Sequence, residues 1–116
     1  MATFEKFEDM LVWQKSRIFV IDIYQIFKNN RDYSFRDQIQ RASVSIMNNL
    51  AEGYERKGNK EFVKFLYISK GSCSEVRSML YLASDLDYIN KNELNNLHDK
   101  ATEISKMLSG LIKKLI

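Results

Sequence analysis

The feature that most restricts the fold of this chain is the complete absence of proline from its 116 residues. Only four glycines occur as well, so few positions force the backbone into a turn. Because proline interrupts helices and glycine weakens them, a chain with so few of either is suited to long helices joined by short loops. We therefore expect an all-α fold.

Four segments have helical periodicity, and three short polar breaks separate them. They predict helices near residues 8–29, 34–57, 59–87 and 90–115. Apolar spacings of three and four are clearest in the last two segments, at Phe62, Leu66, Ser69, Cys73, Val76, Leu80 and Ala83, and at Leu94, Leu97, Ala101, Ile104, Leu108, Leu111 and Leu115. Helices joined by short breaks run antiparallel to their neighbours. The sequence therefore predicts a single domain over 1–116, an up-down-up-down antiparallel four-helix bundle.

Three of these segments begin with a combination typical of a helix N-terminus. A capping residue is followed three positions later by an acidic side chain that can bond back to it. The pairs are Ser34 with Asp37, Gly58 with Glu61, and Asn90 with Glu93. We expect each pair to mark the start of a helix.

Residues that perform catalysis or bind metals are scarce. A di-iron bundle needs a Glu-x-x-His pair on each of two helices, and His98 is the only histidine. Cys73 lies on an apolar helix face, where a buried structural thiol is expected. No glycine-rich phosphate loop occurs. We expect no enzymatic activity, no metal and no cofactor.

The compartment is predicted from what the chain lacks. One cysteine cannot form an intramolecular disulfide, which fits a reducing compartment. The N-terminus has no apolar signal region, and no apolar run approaches the roughly 20 residues that span a bilayer. We expect a cytoplasmic protein without membrane contact.

The net charge of +3 and a pI of about 9.0 permit binding to an anionic partner. A basic stretch, diluted by Glu55 and Glu61, joins the second and third segments, with candidate nucleic-acid contacts at Arg56, Lys57, Lys60, Lys64 and Lys70. Four aromatic residues interleave with it, namely Tyr54, Phe62, Phe65 and Tyr67. One interpretation is a patch that contacts RNA phosphates with an aromatic nearby. The other is a solvated turn whose aromatics belong to the core.

The first segment carries more apolar residues than one core face needs. One stripe contains Leu11, Ile18 and Ile21; a second contains Met10, Trp13, Val20, Tyr24 and Phe27. A four-helix monomer buries only one stripe well, so the other predicts a subunit interface. Our candidate interface residues are Trp13, Val20, Tyr24 and Phe27.

Arg41 lies in the middle of the second segment, among small residues. A charge near a bundle core is normally paired, because an unpaired buried charge is costly. Glu52 and Glu75 are candidate partners in a structural ion pair. The alternative is an exposed arginine that lies along the surface.

Several blocks of the sequence resemble the 23S rRNA-intervening-sequence proteins, also called the S23 ribosomal protein family. They are Val-Trp-Gln-Lys at 12–15, Gln-Ile-Gln-Arg-Ala-Ser at 38–43, Ala-Glu-Gly-Tyr at 51–54 and Lys-Glu-Phe-Val-Lys-Phe-Leu at 60–66. The resemblance implies a four-helix bundle, a ring-shaped homopentamer and no enzymatic activity. Some members are encoded inside bacterial 23S rRNA genes. A related branch serves reverse transcriptases of diversity-generating retroelements and has a basic surface.

The family usually has Ile-Pro where this chain has Ile46-Met47, so we expect a straighter second helix. Two functional hypotheses remain open. The first is a bacterial homo-oligomer that associates with RNA. The second is a scaffold or accessory subunit that binds another protein.

Overall fold

A computed structural model of the protein describes residues 5–116. Its four α-helices are α1 (Leu11–Phe27), α2 (Tyr33–Glu55), α3 (Asn59–Asp85) and α4 (Lys91–Leu115). A 3-10 turn, Phe7–Asp9, precedes α1, which is why α1 begins later than predicted. The described residues form no strand. The all-α prediction is confirmed.

Contacts between neighbouring helices show that they run antiparallel. Along the α3–α4 pair, Cys73 contacts Ala101, and two turns further along α3, Tyr81 contacts His98, nearer the start of α4. The α2–α3 and α1–α4 pairs have the same opposed order of contacts. The described residues extend over 44 × 22 × 20 Å, close to the length of about 40 Å expected of the 27-residue α3. The molecule is the four-helix bundle that the sequence predicts.

The core follows the predicted spacing on α3 and α4. Even Ser69 on the α3 stripe is fully buried, and its hydroxyl donates to the Ile46 carbonyl at 2.9 Å. On α4 the core continues to Ile112, whereas Leu111 and Leu115 are half-buried. A straight α-helix has 3.6 residues per turn, so residues that repeat every seven positions rotate slowly around its surface. By the end of α4 the predicted residues have therefore rotated away from the centre of the core.

One of the predicted caps is confirmed and another is corrected. Asn90 accepts the Glu93 N–H at 2.8 Å, and the Glu93 carboxylate accepts the Asn90 N–H at 2.9 Å, as in a capping box. The prediction of Ser34 as the cap was wrong, because α2 begins at Tyr33, two residues earlier than a cap at Ser34 requires. Its N-cap is Asp32, whose carboxylate accepts the Phe35 N–H at 3.2 Å.

Small residues allow α2 and α3 to approach closely. A Cβ atom placed on Gly53 would lie 2.5 Å from the Cβ of Phe65 on α3. Further along the pair, the hydroxyls of Ser45 and Ser72 lie 2.8 Å apart. Met47 is half-buried against the core, and α2 continues past it without a break.

Among residues 5–116, no helix combines the length and the apolar character needed to cross a bilayer.

Candidate nucleic-acid interface

The turn between α2 and α3 is tight and carries most of the predicted basic residues. Helix α2 ends when the Arg56 N–H bonds to the Gly53 carbonyl at 3.2 Å. Gly58 then adopts a φ of +83°, a left-handed conformation that glycine adopts without strain, and becomes the N-cap of α3. The short path places Arg56 and Lys57 at the same end of the bundle as Lys60 and Lys64.

Two of these cations take part in ion pairs on the surface. Arg56 contacts Glu52 at 2.7 Å, and Lys64 contacts Glu61 at 3.0 Å. Glu61 therefore does not complete the predicted capping box with Gly58, whose cap has no side-chain hydrogen bond. All four charged side chains are well exposed, and such pairs contribute only about 0–1 kcal/mol. A phosphate can replace either carboxylate at small cost.

Lys57 and Lys60 are exposed and form no ion pair within the described part of the chain. Their charges are fully hydrated and available to a diffusing polyanion. The end of the bundle therefore presents two unpaired lysines between two weakly paired cations.

The interleaved aromatic residues divide between core and surface. Phe62 is buried, and half-buried Tyr54 packs edge-on against it at a centroid distance of 6.0 Å. Half-buried Phe65 lies beneath the Arg56 guanidinium, 5.0 Å from its ring centroid. Tyr67 is the most exposed of the four, at 56%. The core interpretation therefore holds for Phe62, and Tyr67 has the surface needed for base stacking.

Lys70 lies apart from the turn, about 15 Å along α3 from Lys60. It lines an open groove of about 380 Å³ between α3 and α4, together with Tyr67, Ser109 and Lys113. Lys113 is not recognisable as a site residue in the sequence, because a basic residue at the end of α4 is already explained by the helix dipole. Antiparallel packing of the two helices brings Lys113 and Lys70 together.

The predicted subunit interface needs correction. Trp13 is 9% exposed and Phe27 is fully buried, so both belong to the monomer core. Phe7 covers Trp13 edge-on at 5.2 Å, which completes its burial. Val20 is half-buried and Tyr24 is exposed, so these two remain candidate contacts.

The other stripe of α1 is the exposed one. Leu11, Ile18 and Ile21 are 54%, 58% and 50% exposed. Leu11 also lines a groove of about 260 Å³ in which half-buried Met107 and Leu111 of α4 lie. The apolar part of this surface lies at the start of α1, because the ion pairs Lys15–Glu103 and Asp22–Lys100 cross the junction of α1 with α4 further along.

The predicted structural ion pair is absent from the described residues. Arg41 is exposed and contacts neither proposed partner. Glu52 instead pairs with Arg56, and Glu75 accepts a hydrogen bond from Gln38 at 3.2 Å. Arg41 faces solvent, where its charge needs no partner, so the alternative interpretation is the correct one.

The Cys73 thiol and the His98 imidazole have different hydrogen-bond partners. The Cys73 Sγ–H donates to the Ala101 carbonyl at 3.0 Å, and burial raises the pKa of this thiol to about 11. The group therefore stays protonated near neutral pH and is a poor nucleophile. The His98 Nε2 lies 3.1 Å from the Tyr81 hydroxyl. Among residues 5–116, no group of three or more histidine, cysteine or acidic side chains is placed to hold a metal ion.

Comparison with known protein families gives a match over most of the chain. The model of the 23S rRNA-intervening sequence protein family matches residues 8–110. The chain belongs to this family. The chain is also similar to a solved structure from Bacteroides thetaiotaomicron VPI-5482, a protein of unknown function from the S23 ribosomal protein family. Sequence identity is 26% and the TM-score is 0.84, over 89% of this chain and 99% of the other. No curated protein matches the chain.

Proposed function

We propose that this 23S rRNA-intervening sequence protein is a non-enzymatic homo-oligomer of the bacterial cytoplasm that associates with RNA. The observation that carries the RNA part is the cationic end of the bundle, where Lys57 and Lys60 are exposed and form no ion pair with a described residue. The cytoplasm is a reducing compartment, which suits a lone thiol such as Cys73.

The chemistry of this end suits a phosphate backbone. Lysine ammonium groups bind phosphates as point charges without reading base edges, so recognition depends on charge and tolerates any sequence. Arg56 and Lys64 add two further cations when a phosphate replaces Glu52 and Glu61 as their ion-pair partners. We expect weak binding that depends strongly on salt.

Charge reversal tests this part of the proposal. Lys57→Glu, Lys60→Glu and Lys64→Glu together should abolish the binding of a labelled RNA in fluorescence anisotropy at low salt. Absence of binding by the wild-type protein, or equal binding by this variant, would reject the cationic end as an RNA site.

A matched control carries the same charge change at the opposite end of the bundle. Lys28→Glu, Arg31→Glu and Lys91→Glu alter three exposed cations near the end of α1 and the start of α4. This variant should keep more of the RNA affinity than the first, although the net charge of the two is identical. Equal losses would mean that total charge, and not this site, governs binding.

The exposed apolar stripe of α1 supports the oligomer. Burial of large apolar side chains contributes roughly 1.5–3 kcal/mol each, so Leu11, Ile18 and Ile21 can drive association. The resemblance to the intervening-sequence proteins implies a ring of five, which requires head-to-tail contacts.

Light scattering at micromolar concentration tests the assembly. The wild-type protein should have a mass several times the 13.7 kDa monomer, and Ile18→Lys should reduce it towards the monomer. Leu86→Lys is the matched control, because this leucine is 46% exposed in the α3–α4 loop. A wild-type monomer would refute the oligomer, and a dimer or tetramer would refute only the ring of five.

The same apolar stripe favours one alternative function. If Leu11, Ile18 and Ile21 contact a different protein, the chain is an accessory subunit or scaffold, as in the related reverse-transcriptase accessory proteins. A monomeric wild-type protein that fails to bind RNA would favour this alternative.

A further inference from the structure

The flanks of α3 and α4 that face each other outside the core are polar. On α3, the positions beside the core stripe are Tyr67, Lys70, Ser74, Arg77 and Tyr81, at spacings of three and four. They follow one edge of the helix for about 21 Å. Lys70 contributes to the groove of about 380 Å³, and Tyr81 reaches His98 of α4 further along the same junction.

This junction has an excess of positive charge. Lys70, Arg77 and Lys113 form no ion pair with any described residue. The Nε atom of Arg77 is buried and has no acceptor among the described residues, and its guanidinium keeps a positive charge on the same flank of α3 as Lys70. An anion along the groove would be attracted by these three cations.

Two carboxylates of α3 and α4 are directed to other helices. Glu75 of α3 accepts its hydrogen bond from Gln38 of α2. Glu103 of α4 pairs with Lys15 of α1 at 3.2 Å. Among the described residues, no acidic side chain lines the groove that Lys70 and its neighbours form. Nothing in the lining would repel a phosphate.

Two exposed tyrosines mark the ends of the polar strip. Tyr67 is 56% exposed and Tyr81 is 53% exposed, and 14 residues separate them on one side of α3. The Tyr81 ring lies against His98 at a centroid distance of 5.2 Å, which fixes its position. Exposed aromatic rings beside cations are the elements of a stacking platform for unpaired bases.

We propose that the α3–α4 groove binds a single strand of RNA, with phosphates on Lys70, Arg77 and Lys113 and bases stacked on Tyr67 and Tyr81. This rests on the proposed RNA association and extends its site, because Lys60 and Lys64 lead along α3 from the turn to the groove. A single strand is favoured over a duplex, since stacking on tyrosine requires unpaired bases. The strip spans about six nucleotides of a stacked strand.

The test compares a labelled single-stranded RNA of about eight nucleotides with a duplex of the same length. In the oligomer as purified, Tyr67→Leu combined with Tyr81→Leu should weaken single-strand binding at least fivefold and leave duplex binding unchanged. Tyr33→Leu, at a tyrosine that is 58% exposed at the start of α2, should change neither. Circular dichroism and light scattering establish that each variant keeps its fold and mass.

A second variant probes the cations without altering the tyrosines. Lys70→Gln with Lys113→Gln should weaken single-strand binding and reduce its dependence on salt. If both groove variants bind the single strand like the wild-type protein while the Lys57, Lys60 and Lys64 reversal abolishes binding, the groove is refuted and the proposed function stands. If single strand and duplex weaken equally, stacking is refuted. If the wild-type protein binds no RNA, both proposals fail.

Discussion

The close approach of α2 and α3 at Gly53 makes a quantitative prediction about stability. In Gly53→Ala, the new Cβ would lie 2.5 Å from the Phe65 Cβ and 3.1 Å from the Phe62 Cδ1. The Phe65 Cβ is bonded to the backbone and cannot rotate away, so the helices must separate. Overpacking of this kind costs about 1–3 kcal/mol, while alanine gains about 0.5–1 kcal/mol over glycine in a helix. We expect a net loss of about 0–2.5 kcal/mol, whereas helix propensity alone would give a gain.

The assay is urea unfolding followed by far-ultraviolet circular dichroism, at one fixed protein concentration because association contributes to stability. Gly71→Ala is the matched control, since nothing lies within 4 Å of its new Cβ. The control should gain about 0.5–1 kcal/mol from helix propensity alone. If Gly53→Ala is stabilised as much as Gly71→Ala, the close packing of α2 on α3 is wrong.

Three further predictions concern single contacts. A thiol reagent should label Cys73 far more slowly in the native protein than in urea, because the buried thiol has a pKa of about 11; equal rates would contradict its burial. The Tyr88 hydroxyl donates to Asp32 at 2.6 Å and lowers the pKa of that carboxyl below its usual 3.8. The stability that this hydrogen bond contributes is fully present above pH 3.8 and is lost as the pH falls through the lower pKa of folded Asp32. The loss of stability in Tyr88→Phe should therefore become smaller in acid, and a loss that does not depend on pH would refute the pairing. Asn90→Ala should cost about 1 kcal/mol by removing the α4 cap, and unchanged urea unfolding would contradict the capping box with Glu93.

The sequence predicts α3 and α4 well because their core residues repeat every three and four positions. Even Cys73 and Ser69 fit the repeat, and both find hydrogen-bond acceptors inside the bundle. The Asn90 cap is equally clear, because a matching acid follows it at the required spacing. Local spacing and local hydrogen bonding decide these features.

Helix α1 shows what local spacing cannot decide. Its core stripe passes through Ser16, a polar residue that the apolar pattern leaves out. The hydroxyl donates to the Val12 carbonyl at 2.7 Å, so the helix itself satisfies it. The exposed Ile18 has the same apolar character as a core residue. Which stripe is buried depends on how α1 packs against the other helices.

One part of the candidate site can be predicted from the sequence, and the other depends on how the helices pack. The cluster at the α2–α3 turn is visible in the sequence because Lys57 and Lys60 are close neighbours in the chain. The groove is not visible there, because Lys70 and Lys113 are far apart and meet only through antiparallel packing. The predicted partners of Arg41 failed for a related reason, since each carboxylate has a nearer partner.

The most direct test of the account is the dependence of RNA affinity on salt. For single strands, the logarithm of the binding constant falls with the logarithm of salt by about 0.7 for each phosphate neutralised. Lys57→Gln, Lys60→Gln and Lys64→Gln together should therefore make the slope shallower by about 2. Lys28→Gln, Arg31→Gln and Lys91→Gln, at the opposite end, should leave it unchanged. Equal slopes for the wild-type protein and both variants would contradict the claim that the α2–α3 end of the bundle binds the RNA backbone.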